Sequence, residues 1–173
     1  MALTLIKETG SGLADANSYA AVADGDAYHE GHLYADAWTA ANNASKETAL
    51  VMATRLIDEF IQFNGVKRST AQSLQWPRRN CPDPDSKEAV SESVIPPALV
   101  NATAELARAL LKADRTDDPD GEGLRAMSIE GALAIEFDKD DRRKVLTLRV
   151  QVMLAKFGFF RSGRSGMVTL TRA

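Results

Sequence analysis

Gln72-Ser-Leu-Gln-Trp76-Pro77-Arg78, followed after an acidic loop by Ile95-Pro96-Pro97-Ala-Leu-Val-Asn-Ala-Thr-Ala-Glu105-Leu-Ala-Arg108, joins an aromatic–proline anchor to a well-marked helix. Pro96 and Pro97 fit the boundary and first turn of a helix, where a backbone N–H has no intrahelical partner in any case. Leu99, Ala102, Leu106, Leu110 and Ala113 then recur at helical spacing and make one apolar face. The pattern predicts a helix docked by packing, with Trp76 fixing the loop before it. Trp76, Pro77, Arg78 and Arg79 are therefore the candidate anchor and contact residues of that loop.

Upstream, Asn17 or Ser18 can cap a first helix running toward Gly31, with Tyr19, Val22, Ala23, Ala27 and Tyr28 on its buried side and Gly25 as a weak point. Ser45 is the expected cap of a second helix. Its stripe of Ala49, Met52, Ala53, Leu56, Ile57, Phe60 and Phe63 ends at Asn64-Gly65. Between residues 65 and 95, Pro77, Pro82 and Pro84 exclude a continuous helix and predict a long loop. Residues 1–16 read as an N-terminal arm broken at Gly10-Ser-Gly12.

Downstream of the Pro-Pro helix, Asp117-Asp-Pro-Asp-Gly-Glu-Gly123 is a breaker-rich acidic loop. Ile129, Leu133, Ile135 and Phe137 predict a β-hairpin over 126–138 that turns near Gly131. Residues 141–157 satisfy both periods, since Leu146, Leu148, Val150, Val152 and Leu154 alternate while Val145, Leu148, Val152 and Ala155 trace a helical face. A helix capped by Asp140 or Asp141 and ended by Gly158 is the expectation, with a strand as the alternative. Arg161-Ser-Gly and Arg164-Ser-Gly then form a flexible C-terminal tail over 161–173. Met167, Val168, Thr169 and Leu170 are β-prone, and with Arg161, Arg164 and Arg172 they are the candidate partner-binding residues, through addition to a sheet edge. A loose chain end is the simpler alternative.

The chain has 173 residues and 45% hydrophobic content, enough for one domain with a core, here placed at 17–160. Aromatics are 6% and alanine is abundant, which favours close-packed helices. The expected class is mainly α: a small helical domain of about four helices with a short hairpin and an extended tail. Net charge is −3, unevenly spread. Residues 139–173 carry nine Lys/Arg against Asp140 and Asp141, a balance of +7, which leaves −10 for residues 1–138. That basic end is either a solvated face or a surface that meets an acidic partner or DNA.

Nothing in the pattern makes a catalytic constellation, and no cofactor is expected. His29 and His32 lie three apart but lack further ligands, so a metal is not expected and they read as exposed polar residues. Cys81 is the sole cysteine, without an activating neighbour, and excludes an internal disulfide. Gly10-Ser-Gly12 lacks the Lys-Ser/Thr ending of a phosphate loop. No apolar run approaches a membrane span, so a soluble protein without membrane contact is expected. Aromatics beside arginines, at Trp76 with Arg78 and Arg79 and at Phe157, Phe159 and Phe160 with Arg161 and Arg164, are the ingredients of single-strand binding. Core packing of those rings is the simpler alternative.

Ala16-Asn-Ser18-Tyr19, Ala27-Tyr28, the Leu-Gln-Trp-Pro-Arg loop, the Ile-Pro-Pro-Ala helix with Ala104-Glu105-Leu106-Ala107, and the Gly/Ser-rich tail occur here in one order. In this the chain resembles a family of small tailed-phage proteins catalogued as DnaT-like single-stranded-DNA-binding proteins and also read as head-to-tail connectors. The connector resemblance implies a helical adaptor made in the host cytoplasm and destined for the neck of the virion. It also implies a ring of identical subunits, a dodecamer, that binds the portal protein and a tail-completion or other neck protein and lines the DNA passage. The connector is the expected function; the catalogue name implies, as the alternative, a DnaT-like single-stranded-DNA-binding replication accessory.

Overall fold

The computed structural model describes residues 3–117, 126–129, 133–136 and 144–161. Its elements in chain order are α1 (Val22–Glu30), α2 (Asp36–Thr39), α3 (Asn43–Phe60), β1 (Ile61–Phe63), β2 (Val66–Lys67), β3 (Arg78–Arg79), α4 (Pro97–Lys112), β4 (Ala126–Ile129), β5 (Leu133–Glu136), α5 (Leu148–Leu154) and β6 (Gly158–Phe160). Antiparallel pairs β1–β6, β2–β3 and β4–β5 are spread through the chain, so the fold is mixed α/β. The mainly α expectation is thereby corrected: chain between helices that reads as loop or helix end supplies strands.

α4 lies at the centre and packs against α3, α5, α1 and α2. Its start is as the prolines predict: Pro96 holds the cap position, and the amides of Leu99 and Val100 bond back to its carbonyl. Leu99, Ala102, Leu106 and Ala107 are fully buried. Each buried leucine contributes about 1.5–3 kcal/mol by leaving water. Small residues between them let α3 approach closely along Leu50, Ala53 and Ile57.

Several boundaries differ from expectation for local reasons. α1 starts at Val22, because residues 16–20 are spent in tertiary bonds: Ser18 O accepts from Glu8 N–H at 2.8 Å, and Asn17 N–H reaches Ile6 O at 2.9 Å. Ala21 N–H is taken by Asp24 Oδ2 at 2.7 Å, closing the helix start. Gly25 is required by packing, since a Cβ there would lie 2.4 Å from the Trp38 ring. For α3 the cap is Asn42, whose Oδ1 accepts Ser45 N–H at 2.9 Å; Ser45 is the residue being capped. α3 also stops three residues before Phe63, as Ile61 turns to extended backbone and opens β1. α5 is shorter than 141–157 and is capped by Thr147, whose Oγ1 accepts Val150 N–H at 3.3 Å; it buries Val150 and Leu154 but exposes Leu148 and Val152. That split settles its period as helical. β4 and β5 pair antiparallel as the two arms of the expected hairpin, in register Ala126↔Glu136 through Ile129↔Leu133; its expected turn near Gly131 and residues 137–138 lie outside the described residues.

The β1–β6 pair closes the core over one end of α3. Its register is Ile61↔Phe160, Gln62↔Phe159 and Phe63↔Gly158. Gly158 is needed here, because a Cβ would sit 2.5 Å from Gln62 O. Near the N-terminus, Glu8 is fully buried and its carboxylate accepts the amides of Gly10, Gly12 and Leu13 at 2.8–3.0 Å, so Gly10-Ser-Gly12 wraps an anion belonging to the chain itself.

Candidate nucleic-acid interface

Trp76, Pro77 and Arg78 are buried, so they are anchors and not contacts. The Trp76 ring lies edge-on to Phe63 and Phe157, each 5.9 Å away between centroids. Arg78 is only 4% exposed and donates to the carbonyls of Asn64, Phe63, Gly65 and Gln75 and to Gln75 Oε1, at 2.7–3.2 Å. Burial lowers its pKa, and its donors are consumed in tying β1 to the loop. Gln72 completes the clamp by donating from Nε2 to Leu74 O and Pro77 O. Neither ring nor guanidinium is left to meet a nucleic acid. Arg79 is half exposed and paired with Glu92 at 2.8 Å.

The two histidines separate. His29 is 3% exposed, packs beside Trp38, and has one ring nitrogen on Ala104 O at 3.1 Å; burial pushes its pKa down. It is a core residue, against the expectation of an exposed one. His32 accepts the Tyr34 amide at Nδ1. Cys81 is buried, and that burial raises its thiol pKa. No group of three or more His, Cys, Asp or Glu able to hold a metal occurs among the described residues.

What remains on the surface is at β6. Alternation along a strand puts Phe159 and Arg161 on the same face, and antiparallel register puts Gln62 opposite Phe159. The side chains agree: Arg161 Nη2 donates to Gln62 Oε1 at 2.6 Å, while Arg161 N–H holds Phe60 O at 2.9 Å. Phe159 is 60% exposed, and its neighbours Phe157 and Phe160 pack inward. An exposed ring thus stands beside a guanidinium fixed by a neutral amide. Of the predicted partner-binding residues, Arg161 is placed here; Arg164, Met167, Val168, Thr169, Leu170 and Arg172 lie outside the described residues. A second exposed ring, Tyr34, was not singled out by the sequence.

The family model described as "Putative DnaT-like ssDNA binding protein" matches residues 3–173, and the chain belongs to that family. Neither a curated protein nor a solved structure matches it.

Proposed function

We propose that the protein binds single-stranded DNA, with the outward face of β6 as a contact surface. The observation that carries this is the Phe159–Arg161 pair: a ring open for base stacking, two residues from a guanidinium open to phosphate. The +7 balance of residues 139–173 supplies the field such a strand needs, and the family description agrees with it. The test is fluorescence anisotropy of a labelled oligo-dT with the full chain in a salt series. Binding at low salt that weakens as salt rises is expected; no binding at low salt contradicts the reading.

A second reading, the virion head-to-tail connector, has its own support. A ring of identical subunits needs two different complementary patches on each copy. The chain offers an exposed apolar ridge on α5, Leu148 and Val152, and a groove of about 450 Å³ between α3 and α4 lined by Ala44, Ala49, Met52, Leu110 and Leu111. Electron microscopy of the protein mixed with portal protein of the same particle tests it: stacked rings support the connector, and unassembled protein contradicts it.

A further inference from the structure

We infer that a second nucleotide subsite lies at the turn after α1, where Tyr34 stacks a base and Arg149 takes the adjoining phosphate; the inference rests on the single-strand reading above. Tyr34 is 72% exposed although its backbone is held at both polar atoms. Its amide donates to His32 Nδ1 at 3.1 Å, and its carbonyl accepts Arg108 Nη1 at 3.1 Å. A ring on so fixed a backbone loses little freedom when a base covers it, which is what a stacking platform requires.

Arg149 comes to the same place from the start of α5. Its Nη2 donates to Tyr28 Oη at 3.3 Å, and its Nη1 lies 3.3 Å from His32 Nε2, so one imidazole separates the guanidinium from the Tyr34 backbone. The Tyr28 hydroxyl passes its own proton toward Glu105 Oε2 at 3.4 Å. Glu105 is itself committed to Arg108, at 2.5 Å. Arg149 is exposed and makes no ion pair among the described residues; Glu105, on the far side of the Tyr28 hydroxyl, is paired with Arg108 and lies 3.8 Å from His32 Nε2. An exposed guanidinium one imidazole away from an exposed aromatic residue on a fixed backbone matches one nucleotide of a single strand: π-face to ring, phosphate to cation.

The experiment compares the full chain with Tyr34→Ala, Tyr34→Phe and Arg149→Gln in oligo-dT anisotropy. Tyr34→Ala is expected to bind about tenfold more weakly, and Tyr34→Phe to keep wild-type affinity, because only the π-face is used. Arg149→Gln is expected to reduce the slope of log affinity against log salt by about 0.7, one phosphate contact. If wild-type protein binds but either Tyr34→Ala or Arg149→Gln behaves as wild type, the subsite is wrong while the single-strand reading stands. If wild-type protein does not bind, both fall.

Discussion

The Tyr19 hydroxyl donates to Asp58 Oδ1 at 2.5 Å, and this pair fastens the Trp76 loop to α3. Gln75 N–H reaches Asp58 Oδ2 at 2.9 Å and the Tyr19 oxygen at 3.1 Å, and Trp76 N–H reaches the same oxygen at 3.2 Å. Two side chains more than thirty positions apart thus satisfy the backbone of a segment that has no secondary structure of its own there.

Burial raises the Asp58 carboxyl from an ordinary 3.8 to about 6, even though Tyr19, the Gln75 amide, Lys67 and Arg78 all pull it down. The native state therefore holds this proton more tightly than the unfolded chain does. Stability from this group is greatest below the unfolded value and declines as pH rises from about 4 through 6. Urea denaturation across that range is predicted to show the decline, and Asp58→Asn to flatten it. An unchanged slope in Asp58→Asn would assign the pH dependence elsewhere.

Tyr19→Phe removes the acceptor that Trp76 N–H uses and the donor that Asp58 uses. With the ring retained, the expected loss is about 1–3 kcal/mol in denaturation free energy. A neutral result would mean that water replaces the hydroxyl without cost.

Arg78→Met is predicted to be more damaging than Arg79→Met. The first strips hydrogen bonds from four backbone carbonyls, while the second removes a half-exposed ion pair with Glu92 worth at most about 1 kcal/mol. Thermal unfolding of the two variants checks the order. Equal midpoints would show that the Arg78 strut is dispensable.

Gly158→Ala is expected to part β6 from β1, because the new methyl group would overlap Gln62 O. Amide exchange is the measure: Arg161 N–H, now held by Phe60 O, loses protection in the variant. Preserved protection would show that the strands shift to accommodate the methyl.

How much of this was legible in the chain differs by element. α4 was, because Pro96, Pro97 and the spacing from Leu99 to Leu110 are local signals. The end of α3 was not: Ile61 and Phe63 continue an apolar stripe whether the backbone is helical or extended, and the partner that makes them a strand lies near residue 160. Trp76 and Arg78 looked like an aromatic–cation contact pair, yet the acceptors that bury Arg78 belong to residues 63–65, across a turn no periodicity reveals. Phe159 and Arg161 were in view as residues, but their shared face depended on pairing with Gln62. Tyr34 gave no signal, since its posture is set by Arg108, 74 positions away.

Single-stranded-DNA binding at the outer face of β6 is the proposed activity of this protein. It is tested most directly by oligo-dT affinity of Phe159→Ala and Arg161→Gln against wild type, with folding verified by circular dichroism. About tenfold weaker binding is expected for Phe159→Ala and a shallower salt dependence for Arg161→Gln, in folded protein. Wild-type affinity and salt dependence in both variants would contradict it.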